Sequence, residues 1–298
     1  MLWAPIVCLA LLAGDPQASA ANREKPDAKP APMSAVIRSQ QPTPKLIAAD
    51  MPSPTEDPDA EQELLDLANQ SRRQAGLSPL RMDESLTDAA RAHALLMVEK
   101  AQLQHQFPGE ASLLQRIADV SPLRLDSAGE NVAYHSSAEQ AHDALMHSPP
   151  HRENLLDGGF NVAGIAAIWS HGHLYVVQDF AHEVPSHSTQ ETNKLVNQAI
   201  HDARHHADQP DLVQVQRPNL NESVCSLANE NHLSARNLPG ADHVRGAVTY
   251  TQSRPEILPP GAIHLIETSD AHQFAVGTCY ARSAQYPAGM FWVAILLF

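Results

Sequence analysis

The chain of 298 residues carries 34 Asp and Glu against 20 Lys and Arg, a formal charge of −14. That balance argues against nucleic acid and anionic membrane surfaces as partners, since both are bound through clustered positive charge. The length suits one large or two ordinary domains, and the 17 histidines would reverse the sign of the charge if all were protonated.

Residues 1–20 read as a signal peptide. Leu2 to Gly14 is mostly apolar, Ala18-Ser19-Ala20 has the small-x-small cleavage pattern, and Asp15 ends the run too early for a membrane span. Residues 21–58 are interrupted by Pro26, Pro30, Pro32, Pro42 and further prolines and hold few large apolar side chains. Such a segment cannot bury enough surface to offset its ordering entropy, so it reads as a disordered linker. An exported protein is expected, secreted or periplasmic, with no transmembrane segment in the mature chain.

The first folded region is expected at 59–184. Leu64, Leu67, Ala68, Ser71 and Ala75 recur at helical spacing, and Gly76 is suited to end that helix. Asp83 is a good N-cap for a second helix bearing Leu86, Ala90, His93 and Met97 on one stripe. His93 on that stripe reads as a satisfied core histidine. Residues 104–128 look looser, with short helical stretches around Ala111–Ile117. A helix follows over Ala138–Met146, and Ser148-Pro149 opens a short one that holds His151 in its first turn. Prolines 149 and 150 separate His147 from His151, so the i, i+4 spacing of the two histidines does not make a metal-binding helix face. Val162–Trp169 and Leu174–Phe180 form a hairpin around Ser170-His171-Gly172-His173. Helices followed by a hairpin predict an α+β layered fold.

Residues 181–192 read as a linker, and 193–298 as a second, smaller α+β region that resembles a degenerate copy of the first. Leu195–His206 and Leu220–Ala228 are its helices, and Phe274–Tyr280 and Met290–Phe298 its strands. The last run is too short to span a membrane and reads as a strand buried on both faces. Cys8 falls in the signal, which leaves Cys225 and Cys279. An even pair in an exported chain points to a disulfide, here from helix to strand.

Several short motifs in 61–182 carry chemistry. They are Asn69-x-x-Arg72 with Gly76, Leu86-Thr87-Asp88-Ala89-Ala90, His105 before Pro108-Gly109, and Gly129-Glu130-Asn131-Val132-Ala133. Ser148-x-x-His151-Arg152-x-Asn154-Leu155-Leu156 and Tyr175-Val176-Val177-Gln178-Asp179-Phe180 follow. In this order they resemble the CAP superfamily of cysteine-rich secretory proteins, antigen 5 and plant pathogenesis-related 1 proteins, and within it the bacterial YkwD-like branch. The resemblance implies an α-β-α sandwich. It also implies a cleft that, in many eukaryotic members, is lined by two histidines and two acidic residues able to hold a divalent metal. By motif match His105 is the first histidine and Glu130 the first glutamate. Tyr175 stands where the second family histidine is expected, three residues before Gln178, and the bacterial branch carries His151 instead.

The residues themselves allow three arrangements. His105, Glu130 and His151 are a donor set for a divalent cation such as zinc, with a position left for water. Without metal, Glu130 can accept from an imidazole and hold its tautomer. As scaffold alone, Glu130 would cap backbone amides and His151 a helix start. Asn69, Arg72, Asn131, Arg152, Asn154, Tyr175 and Gln178 are supporting residues, with Arg152 and Asn154 expected to bond neighbouring loops. No Gly-x-Ser-x-Gly elbow or His-Glu-x-x-His helix is present. A non-enzymatic binding module is therefore the leading expectation, with lipid, sterol, glycan or an envelope protein as the partners the resemblance implies. A metal-dependent or His/Glu-assisted hydrolase and an envelope-associated spacer are the alternatives.

Overall fold

The structure, a computed structural model, describes residues 53–298 together with the two-residue strand β1 (Val7–Cys8). Apart from that strand, the expected signal peptide and the linker as far as residue 52 lie outside the described residues.

The folded part begins slightly earlier than residue 59. Strand β2 (Thr55–Glu56) pairs antiparallel with Trp169 and Ile168, and Asp57 caps the helix that follows, accepting from Ala60 N. The reason is the proline itself: Pro58 sits at the first helical position, where its missing N–H costs nothing. That helix, α1 (Pro58–Gln74), stops before Gly76 at φ +76°. Strand β3 (Arg81–Met82) leads to α2 (Glu84–Lys100), capped by Asp83 through Ser85 N and Leu86 N. Helix α3 (Leu113–Val120) precedes β4 (Leu125–His135), an eleven-residue strand. Helices α4 (Ala138–His147) and α5 (Pro149–Leu155) then lead to β5 (Val162–Ser170) and β6 (His173–Glu183).

β4 is the major element of this half that the apolar pattern hides; in the second half β8 (Gly246–Gln252) and α8 (Pro260–Thr268) also go unread. The centre of β4 reads Gly-Glu-Asn, with polar side chains on both faces, so the alternation that marks a half-buried strand is absent. It pairs antiparallel with β6 along almost its whole length, giving the order β2-β5-β6-β4, with β3 parallel beside β5. Helices α1, α4 and α5 cover one face through Leu64, Ala68, Ala141, Leu145 and Leu155 against Ile165, Val176 and Phe180. Helix α2 covers the other, with Ala90, Ala94 and Met97 against Ala166, Ile168 and Val177. The result is the expected α-β-α sandwich. Gly164 makes the close α2–β5 approach possible, because a Cβ there would overlap the backbone of Leu86 and Thr87.

The second half starts with α6 (Thr189–His206), sealed by a capping box between Ser188 and Glu191. It continues through β7 (Val213–Gln214), α7 (Leu220–Asn229), β8 (Gly246–Gln252), α8 (Pro260–Thr268), β9 (Gln273–Ala281) and β10 (Met290–Leu297). Its sheet runs β1-β8-β10-β9-β7, and β10 is buried along its whole length. Helices α6 and α8 pack on one face and α7 on the other. Cys225 of α7 and Cys279 of β9 form a disulfide, with Cα atoms 5.2 Å apart.

The two halves share three local devices. Arg72 Nε donates to Ser78 O and Arg204 Nε to Pro210 O, each six residues on. Ile165 N donates to Thr87 Oγ1, and Thr278 N to Asn221 Oδ1. Gly164 meets the start of α2 as Gly277 meets the start of α7. The halves meet where Arg282 donates to the carbonyls of Ala118 and Ser121 at the end of α3, and where the Arg124 guanidinium lies 4.0 Å from the Tyr280 ring centre.

Candidate functional site: an ionic cleft across the edge of a sheet

β4 is an edge strand, and its three motif residues each do a different job. Gly129 gives clearance, since a Cβ there would stand 3.0 Å from the Phe160 ring and 3.1 Å from Asn154 Oδ1. Glu130 points to the α2 and α3 side, directly across from Asp179 of β6. Asn131 points the other way, pairs with Gln178, and donates to His151 O at 3.0 Å. Asn154 Nδ2 donates to Glu130 O and to Asn131 Oδ1, both at 3.0 Å. These bonds pin the start of α5, and with it His151, to the strand that carries Glu130.

His105 closes the set from the loop after α2. Its Nδ1 stands 2.9 Å from Glu130 Oε1, and its ring centre lies 6.0 Å from that of His151. The His105 side chain is 56% exposed while that of Glu130 is 4% exposed. The structure thus brings His105, Glu130 and His151 together. Burial and the neighbouring His105 both push the His151 imidazole below its ordinary value, so its neutral form is favoured.

Four further residues complete the site. Arg116 of α3 donates through one terminal nitrogen to Glu130 Oε2 and through the other to Glu110 Oε1 at 2.7 Å. His93 of α2 is buried as expected and is satisfied: Nε2 donates to Gln104 O at 2.8 Å, and Nδ1 stands 2.6 Å from Glu110 Oε1. Burial opposes ionisation of Glu110, but the Phe107 N–H, Arg116 and His93 outweigh it and hold the carboxyl below its usual range. Burial likewise opposes charge on Arg116, and Glu130 and Glu110 overcome it. Asp179 is different. Burial raises it well above the ordinary carboxylate value and the Glu130 charge raises it further, so it prefers its neutral acid form.

His93 apart, these partners carry little sequence signal. Arg116 lies in an eight-residue helix, and Asp179 is placed opposite Glu130 only by strand register. An open groove of about 520 Å³ between α2 and α3 has His93, Glu110 and Arg116 in its lining and Asp88, Glu99 and Asp119 around it. Arg116 therefore borders both that groove and the His105 cleft.

The supporting residues are structural. Asn69 and Leu80 exchange two hydrogen bonds, of 3.0 and 2.7 Å. Arg72 is fully buried and serves four carbonyls. Tyr175 is buried edge-on against Tyr134 in the α2 core, and Gln178 accepts from Asn131 at 3.3 Å. Asn154 bonds β4 as expected; Arg152 is exposed on α5 and forms no such tie. A divalent cation does not fit the residues as placed: the Arg116 guanidinium already occupies the carboxylate oxygens that would converge on it. Among the described residues, no group of three or more His, Cys, Asp or Glu side chains is arranged to hold a metal.

Residues 65–180 match the model of the cysteine-rich secretory protein family, CAP. A protein of Bacillus subtilis strain 168, the uncharacterised YkwD, is 32% identical over 111 residues, 37% of this chain and 43% of the relative. The chain thus spans less than half of that relative's length. Among solved structures, an extracellular SCP-domain protein from Bacillus anthracis is 28% identical, with a TM-score of 0.38, over 43% of this chain and 41% of that one. Na-ASP-1 is 9% identical with a TM-score of 0.45, over 80% of this chain and 89% of that one.

Proposed function

We propose that this is an exported binding module whose ligand is held by His105 and His151 above Glu130. The observation that carries the reading is the fixed imidazole of His105. Its Nδ1 is bound to a carboxylate that is itself held by Arg116, and its exposed edge is left for a ligand. With Nδ1 protonated toward Glu130, Nε2 is an acceptor, so the cleft favours ligands that offer a hydroxyl or amide donor. Envelope glycans and lipid headgroups carry such donors. The export reading rests on the apolar segment before Asp15 and on the disulfide. The shared devices of the two halves support reading residues 193–298 as a degenerate copy without the cleft: Ala294 stands across from Gly277 as Asp179 does from Gly164, and Thr249 pairs with Ala294 as Glu130 does with Asp179.

Binding of envelope glycan fragments and lipid micelles, followed through the histidine ring signals, tests the proposal. Binding lost in His105→Ala and Glu130→Gln but kept in Arg152→Ala is expected. Binding retained in the first two would remove the cleft from consideration. The His105–Glu130 pair also supports a hydrolase, in which the imidazole would act as general base. Turnover of an activated ester that disappears in Glu130→Gln while binding persists would favour that reading.

A further inference from the structure

We infer that Arg116 takes the place of a divalent cation in this cleft: its guanidinium supplies the positive charge that the carboxyls around it need, and as placed they leave no room for a metal. The Arg116 side chain is only 9% exposed and bridges Glu130 Oε2 and Glu110 Oε1. The same side chain lies 2.7 Å from His93 Nδ1 and 3.4 Å from His105 O. Behind Glu130, both oxygens of the fully buried Asp179 lack a hydrogen-bond donor, and the group that faces them is the Glu130 carboxyl. Two carboxyls and one imidazole therefore contact the guanidinium directly, and Asp179 and the His105 ring lie against Glu130.

Physical chemistry gives that cation its role. Carboxylates brought together out of water repel one another and cannot all stay ionised without a compensating charge. Imidazole and carboxylate are zinc's preferred nitrogen and oxygen donors. A guanidinium supplies the charge in another form: it cannot lose its proton, it is planar, and it can serve two carboxylates at once. Among the described residues Arg116 is the only guanidinium or ammonium paired with Glu130. Its presence sets what the cleft accepts, because a second cation would meet the guanidinium at close range. The inference concerns the charge inside the cleft and stands apart from which ligand the cleft binds.

Zinc titration calorimetry on wild type, Arg116→Met and each combined with Glu130→Gln tests it. The quantity read is the Glu130-dependent component, which sets aside zinc taken up by surface histidines. We expect none in the wild type and stoichiometric binding in Arg116→Met. A Glu130-dependent component in the wild type overturns the inference, and so does its absence from both proteins. If Arg116→Met does not fold, Arg116→Gln carries the same measurement, since it keeps a donor to Glu130 without the charge. If neither folds alone, refolding in the presence of zinc decides: recovery supports the inference and failure overturns it.

Discussion

Arg72 shows how one residue can set a site it does not touch. It is fully buried, with donors to the carbonyls of Ser78, Leu155, Asp157 and Phe160 at 2.8–3.0 Å. Those carbonyls belong to the chain after α1 and to the end of α5, so Arg72 fixes the short helix that presents His151. Arg72→Met should cost about 3 kcal/mol or more in urea unfolding, because it strands buried carbonyls that solvent cannot reach. Asp179 gives the opposite case, a residue that costs stability. Its folded carboxyl is raised above the value of 3.8 for the free group, by burial first and Glu130 second. The native state therefore holds a proton that the unfolded chain releases above that value. Stability from this group is complete at lower pH and declines as pH rises toward the raised value. Asp179→Asn should be more stable than wild type at neutral pH, by about 1.4 kcal/mol for each unit of elevation, and the difference should vanish near pH 4 in urea midpoints taken across pH. Glu130 and His105 could be found in the sequence because each sits in a motif. Asp179 lies in the Tyr175–Phe180 motif, but its role could not be read there, since it depends on a strand partner 49 positions away.

Among the elements, α1, α2 and α5 were legible because their ends carry chemistry of their own, whereas α8 was not read. Asp83 caps α2, Gly76 follows α1, and the prolines at 149 and 150 open α5. β4 was not legible, for the reason that makes it functional: the polar Glu130 and Asn131 face the cleft and the α5 tie where apolar side chains would reveal a strand. The α2–β5 contact was equally silent, because Gly164 looks like any other small residue until α2 is seen against it. Gly164→Ala should push α2 off the sheet and cost about 1–3 kcal/mol, as overpacking does, measured by denaturant midpoint. The loss should be larger than for Gly172→Ala, where nothing stands within 4 Å and only the positive φ opposes the change.

At the scale of the whole molecule, the second half braces the first. Arg282 holds the last carbonyls of α3, the helix that supplies Arg116. Ala288 packs against the cluster of Leu86, Ile117 and Leu125. Arg282→Ala should leave the sheet intact and speed hydrogen exchange at the α3 amides by about tenfold, the equivalent of one lost hydrogen bond. Unchanged exchange in α3 would show that the helix is held by its own packing. No sequence pattern announced this brace, since an arginine bonding to backbone carbonyls leaves no paired residue to read.

Both sheets also place their latest strand in the middle. β6 lies between β5 and β4, although it follows both in the chain, and β10 lies between β9 and β8 in the same way. A chain emerging from the ribosome or a translocation channel can assemble the flanking strands of either sheet only loosely, because each awaits a partner not yet made. The cleft-bearing sheet closes when β6 arrives, well before β10 exists. The site is thus assembled ahead of its brace, and the newborn protein passes through an interval in which α3 and Arg116 must hold their position without Arg282.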